Sequence, residues 1–295
     1  MNGAARPSTL DNVKVGQQGY ALVSILWLLG LLALAVTSMS VFTVNSLSVI
    51  TTSHDRVAAE AMVRAGVEAT ILAISQADAS NVLLGMTEIK LGNGVARAAW
   101  RGETGQIDLN TGARELVHAL FRRFGATDAD AQAYIISIAR ARTPIGGLVR
   151  QSSFGHTGEL AEIGIPDVLL RRIQPYLTVY SGQPRIDPRL ASREVLALLP
   201  GMTAARLLSL LSLRARATSD ASEWANEAGE AARYISLERG STVRIRVDAT
   251  LNNGFRTTAE VVVVMFGDDK EPYRVLSWDE SPPDRKLDLL DGEAR

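Results

Sequence analysis

Hydrophobic and polar positions divide the chain into three regimes. From Val15 to Ser53 no residue is charged, and Tyr20–Val36 reads YALVSILWLLGLLALAV. A helix rises about 1.5 Å per residue, so about 20 apolar residues cross a hydrocarbon core. Continuing through Thr37–Val44 reaches that length. Such a run is a membrane helix or the apolar region of a secretory signal. Beyond it the pattern turns amphipathic. Glu60, Arg64 and Glu68 are spaced i, i+4, i+8 and form one polar stripe. Ala58, Met62, Ala65, Ala69 and Leu72 fall on the opposite face. The pattern predicts one helix over 20–80, with its transmembrane part at about 20–44.

The second regime has period two. Asn93-Gly94 is a hairpin signal between Glu88–Leu91 and Val95–Arg101. Gly102–Gly105 supplies another turn, and Gln106–Leu109 reads as a third strand. From residue 241 the same period returns. Val243, Ile245, Val247 and Ala249 alternate with Arg244, Arg246 and Asp248. Asn252-Asn253-Gly254 is a turn, Phe255–Phe266 contains the β-branched run Val261–Val264, and Pro272–Trp278 reads as a last strand. Between these stretches lies a third regime, predicted as helices at 112–124, 127–142, 158–163, 166–174, 192–199, 203–213 and 219–232. Strand signals therefore flank a helical block. The prediction is an α+β fold with sheet segments at 81–109 and 241–280. A helical insertion at 110–232 interrupts them, and 281–295 form a loose tail.

Composition narrows the functional classes. The chain has 295 residues, no Cys and a formal net charge of -1. Thiol catalysis, Cys-ligated zinc and iron–sulfur clusters are excluded. The three His (54, 118 and 156) form no H-E-x-x-H pair. There is no G-x-S-x-G elbow and no phosphate-binding G-x-x-x-x-G-K loop. The expectation is that the protein is not an enzyme. Residues 1–19 carry Arg6, Lys14 and Asp11, so the leader is net positive. The positive-inside rule then keeps the N-terminus cytoplasmic and exports the rest.

The helical block contains a repeat. Ile107–Gly125 (IDLNTGARELVHALFRRFG) and Ile186–Met202 (IDPRLASREVLALLPGM) align at an offset of 79. Asn110 and Thr111 are capping or turn residues ahead of the first helix. Both copies resemble helix-hairpin-helix or SAM-like units, and Leu199-Pro200-Gly201-Met202 is the nearest to a DNA-binding hairpin. Charge argues against that use. Residues 110–232 hold 14 Arg, no Lys and 12 Asp and Glu, and the turn lacks a second glycine to open its backbone to a phosphate.

The junction QQG-YALVSILWLLGLLALAV resembles the leader of type IV pilins and type II secretion pseudopilins. The resemblance implies that a prepilin peptidase cuts after Gly19 and N-methylates Tyr20, leaving 1–19 as the leader. It also implies a Glu at the fifth mature position, where this chain has Ser24. Type II secretion protein K is the pseudopilin that lacks this Glu. The successive blocks EAMVRAGVEATILAI, IDLNTGARELVHALF, ELAEIGIPDVLLRRIQPYLTVYSG, IDPRLASREVLALLPG and PYRVLSW are similar to the same family. Membership would imply a single-pass inner-membrane protein of a bacterium, with its C-terminal domain periplasmic. It would be a minor pseudopilin at the pseudopilus tip that initiates assembly and supports export. Its partners would be proteins I and J and then H, with prepilin peptidase as the processing enzyme and no nucleic acid. No cofactor is expected. Calcium is implied by the family only, with Asp268, Asp269 and Glu271 as weak candidates. Two alternatives stand beside this reading. One is a membrane-anchored helix-hairpin-helix DNA-binding protein. The other is an ordinary secreted protein whose signal is cut after Ala33-Leu34-Ala35.

Overall fold

The computed structural model describes residues 17–76, 84–142, 153–217, 220–266 and 271–280. Its first element is helix α1 (Gln17–Gln76). The chain divides into two compact units, Met1–Val57 and Ala58–Arg295. In the first unit, side chains are described for residues 22–38 and 53–57. The large apolar ones from Leu22 to Val36 are each 56–70% exposed. Among the described residues, no helix is long and apolar enough to cross a membrane.

The second unit is built on a five-stranded antiparallel sheet. Its strands are β1 (Leu84–Leu91), β2 (Gly94–Gly102), β5 (Thr242–Leu251), β6 (Arg256–Met265) and β7 (Tyr273–Asp279). They lie in the order β1-β2-β5-β6-β7. Strand side chains alternate between faces. Ala96, Ala98 and Trp100 of β2, Val243, Ile245 and Val247 of β5, and Val261 and Val263 of β6 all turn to one face. There they meet Ala59, Met62, Val63, Val67, Ile71 and Ile74 of α1. Arg244, Arg246 and Glu260 project from the opposite face by the same parity.

Gly66 sets the closeness of this packing. A Cβ there would stand 2.7 Å from Val247 Cγ1 and 3.4 Å from Ala96 Cβ. The buried stripe of α1 runs through 59, 62, 63, 66, 67, 70, 71 and 74. It is rotated from the expected stripe, and Leu72 is 57% exposed. The reason is that the helix rolls its glycine and β-branched residues onto the sheet, where the backbone approaches closest. The polar stripe falls as expected, with Arg64 and Glu68 exposed and Glu60 half-buried.

The helical block leaves the sheet after Gly102 and returns at Thr242. These two points are neighbours, because Gly102 pairs with Val243 at the end of the β2–β5 ladder. The block has its own core, separate from that of the sheet. Leu116, Leu120, Phe121, Ile138, Ile173, Leu196, Leu210 and Trp224 are among its members. Its elements are β3 (Ile107–Asp108), α2 (Arg114–Arg123), α3 (Asp128–Ala141), a 3-10 turn (Thr157–Ala161), α4 (Asp167–Ile173) and β4 (Leu177–Thr178). After these come α5 (Arg193–Ala197), α6 (Ala204–Ala215) and α7 (Ala221–Ala228). Six of the seven expected helices appear within a few residues, and the one expected at 158–163 is the 3-10 turn Thr157–Ala161. Thr127, Ser192, Thr203 and Asp220 cap α3, α5, α6 and α7 by accepting backbone N–H groups. Each satisfies a donor that a helix start leaves unpaired.

Two details differ from the sequence reading. The β1–β2 hairpin turns on Gly92-Asn93, since Leu91 pairs with Gly94. Gly92 takes φ +47, a left-handed conformation that glycine adopts without Cβ strain. The strand expected at 106–109 forms, but not in the main sheet. Ile107-Asp108 pairs in parallel with Leu177-Thr178 inside the block.

The repeat is also a repeat of topology. In the first copy, a short Ile-Asp strand leads to α2, α3 and α4, then a 3-10 turn (Gln174–Tyr176) and its parallel partner at Leu177. In the second, Ile186-Asp187 leads to α5, α6 and α7, then a 3-10 turn (Gly229–Tyr234) and a parallel bridge from Ile186 to Ile235. The hairpin turns correspond as well. Gly125 (φ +109) precedes the cap Thr127, and Gly201 (φ +74) precedes the cap Thr203.

Candidate functional site

The sequence-level candidates are distributed along α1 and after β6. Gly19 and Tyr20 lie in α1, and their side chains are outside the described residues. Ser24 is exposed on the same helix. Asp268 and Asp269 lie outside the described residues. Glu271 is held by Arg274, whose Nε and Nη2 donate to Glu271 Oε1 at 3.0 and 2.8 Å. Among the described residues no group of three His, Asp or Glu is placed to hold a metal ion.

The densest polar construction joins the sheet to the helical block. β2 ends in a 3-10 turn, Glu103–Gly105, whose three residues are buried. Arg244 of β5 reaches Glu103 in a two-point clamp, Nε to Oε1 at 2.7 Å and Nη2 to Oε2 at 2.9 Å. Its Nη1 donates to Glu260 Oε1 at 2.5 Å. Thr178 Oγ1 donates to Glu103 Oε2 from β4. One carboxylate therefore ties a sheet arginine to a strand of the block. Burial raises the Glu103 pKa, but the charge of Arg244 and the bonds from Arg244 and Thr178 outweigh it. The carboxyl ends below its ordinary value. Burial likewise opposes the charge on Arg244, and Glu103 and Glu260 outweigh it, so its pKa is raised. A planar guanidinium bidentate to a carboxylate is the strongest form of such a pair.

The neighbouring residues complete the joint. The Thr104 carbonyl accepts the Asp187 N–H at 2.8 Å. Gln106 Nε2 donates to the Pro175 carbonyl at 2.7 Å. At Gly105 a Cβ would stand 2.5 Å from the Leu190 carbonyl oxygen, so only glycine lets the second repeat lie against this turn. The entry segment thus touches both repeats before the first one begins.

Each repeat is organised around a buried aspartate. Asp108 Oδ1 accepts the N–H groups of Asn110 and Thr111 at 2.7 and 3.0 Å. Its Oδ2 accepts Ser181 Oγ and the Gly182 N–H, both at 2.9 Å. Asn110 accepts the Phe154 N–H at 2.8 Å. Asn110 and Thr111 are turn residues, and Ala113 stands at the N-cap of α2. In the second copy, Asp187 Oδ1 accepts the Arg189 N–H at 2.9 Å, and the Arg189 guanidinium clamps the same carboxylate. Sequence comparison of the two copies finds both aspartates, but not their different partners.

Neither hairpin turn is arranged to hold a phosphate. The Met202 N–H is spent on the Leu199 carbonyl at 3.0 Å. A Cβ on Gly201 would stand 2.9 Å from Glu230 Oε2, so a carboxylate occupies the approach. In the first turn the Gly125 and Ala126 N–H groups go to the Arg122 and Phe121 carbonyls. Phosphate recognition at such turns requires outward N–H groups and a positive field.

No family model and no curated protein matches the chain. Among solved structures it is similar to a chain in the crystal structure of the GspK–GspI–GspJ complex from the enterotoxigenic Escherichia coli type 2 secretion system. The match has a TM-score of 0.56 at 13% identity and covers 78% of this chain and 98% of that one. The chain therefore has the mixed helical and antiparallel-sheet fold of a subunit in that secretion complex.

Proposed function

We propose that this chain is a minor pseudopilin at the tip of a type II secretion pseudopilus, where it starts assembly and supports protein export. The observation that carries the reading is the fold likeness to a chain of the GspK–GspI–GspJ complex. The leader junction Gly19–Tyr20, the apolar run behind it and the uncharged Ser24 support it from the other end of the chain. In this reading, prepilin peptidase removes residues 1–19 and methylates Tyr20. Residues 20–44 cross the inner membrane once, with the N-terminus cytoplasmic and the C-terminal domain periplasmic. The partners are the chain's own proteins I and J, then H. Ser24 fits a tip subunit, because a carboxylate inside the membrane without a neighbouring amino terminus is costly, up to about 2.5–3.5 kcal/mol at a helix centre. The protein does its work by assembly and carries no catalytic activity of its own.

Mass spectrometry of the mature protein from the membrane fraction tests this reading. The expected start is an N-methylated Tyr20, and Gly19→Val is expected to leave the leader attached. Ala33-Leu34-Ala35 favours a second reading, an ordinary secreted protein. A mature start at Val36 would establish it and remove the pseudopilin proposal.

A further inference from the structure

Between the sheet and the helical block lies a cleft of about 1210 Å3. Its floor is the sheet face turned away from α1. Three arginines line it from the sheet (Arg101, Arg244 and Arg246) and four from the block (Arg123, Arg171, Arg172 and Arg214). The acids lining it are Glu194, Glu260 and Asp279. The whole chain is nearly neutral at a net charge of -1, so this surplus of positive charge is local. Like charges gathered in one concavity repel each other and focus a positive field.

The arginines differ in commitment. Arg244 is spent on Glu103 and Glu260. Arg214 donates to the Pro188 and Ala191 carbonyls. Arg171 and Arg172, at the end of α4, are exposed. Neither has an ion-pair or hydrogen-bond partner among the described residues. Beside them, Tyr176 stacks on Phe124 with centroids 5.0 Å apart, which gives the wall an apolar step.

We propose that this cleft binds an acidic peptide segment of a partner protein. Pockets for small molecules measure about 300–1,000 Å3, and this one is larger and reaches from β7 to both repeats. The guanidinium fork matches a carboxylate in two-point geometry. A phosphate strand offers acceptors only, whereas a peptide brings amide N–H donors as well as carboxylates, so it can meet Glu194 and Asp279 along with the arginines. The proposal stands on the cleft alone and does not depend on the pseudopilin reading.

Fluorescence polarisation on the full chain in detergent tests it, with labelled decaglutamate as the probe and a ten-nucleotide oligo-dT and decalysine as comparators. Decaglutamate is expected to bind, more weakly as salt rises. The double variant Arg171→Glu/Arg172→Glu is expected to weaken it about tenfold or more. Arg171→Lys/Arg172→Lys should lose less, because charge survives and the fork does not. Arg216→Glu, outside the cleft, should leave the affinity unchanged. Circular dichroism checks that each variant is folded. The proposal is overturned if decaglutamate fails to bind at low salt, if oligo-dT binds as tightly, or if Arg216→Glu weakens binding as much as the double variant.

Discussion

At the scale of single residues, the joint depends on Glu103. It is 1% exposed, and its clamp with Arg244 offsets a large desolvation penalty. Glu103→Gln keeps the shape but leaves Arg244 with a single carboxylate partner, Glu260. The expected loss is about 3 kcal/mol, a fall in melting temperature of roughly 6–12 °C for a unit of this size. The pH dependence has a definite sign. The folded pKa of Glu103 lies below its ordinary value, so the stabilisation is present at neutral pH. It is lost as pH falls through that lowered value. Urea melts from about pH 7 to pH 3 should therefore show a steeper acid loss in the wild type than in Glu103→Gln. Equal slopes would mean that Glu103 is not the titrating group. The two buried aspartates show the same principle with different partners. Asp108 is satisfied by hydroxyl and backbone donors, and Asp187 by Arg189.

At the scale of elements, the closest contact is that of α1 with the sheet. Gly66→Val would push a branched side chain into Val247, which cannot swing far because it is itself β-branched. Overpacking of this kind costs about 1–3 kcal/mol. The expected readout is a lower midpoint in denaturant with an unchanged slope. Exposed Leu72→Ala on the same helix should be close to neutral. Much of this scale was legible in the sequence. Alternation at Val243–Ala249 marked β5 and its inward face, and the helices expected from 127 and 203 begin at Asp128 and Ala204. The rest depended on long-range partners. Asn93 has a glycine on each side, so local propensity could not choose which one entered the turn. Ile107-Asp108 looks like any short strand, and only Leu177, far along the chain, decides its ladder. The clamp joins residues 141 positions apart, and no periodicity encodes such a pair. The proposed processing site is a local string around Gly19–Tyr20. The arginine cleft is not, because its seven arginines come from five separate stretches of a chain of balanced composition.

At the scale of the whole molecule, the two cores make a test of autonomy. The helical block has a closed hydrophobic cluster of its own, and its ends meet at Gly102 and Thr242. A fragment covering 103–241 should fold alone, with a helical circular dichroism spectrum and a cooperative melt. A non-cooperative melt would show that the block needs the sheet. The complementary chain, with 103–241 replaced by a short glycine turn, should keep the β2–β5 pairing.

The adjacency of Gly102 and Val243 also predicts an order of folding. The sheet cannot close until β5 finds β2, and nearly half of the protein's length intervenes. Held as flexible chain, that stretch would add about 3 kcal/mol of loop-closure entropy over a three-residue hairpin. Folded first, the block brings its two ends one strand spacing apart, and β5 then meets β2 as the second arm of a hairpin would. Until β5 docks, β1 and β2 form only a two-stranded ribbon, which is marginal by itself. Formed first, the helical block would be the template on which β5 is registered, and a slow step inside it would delay the whole sheet.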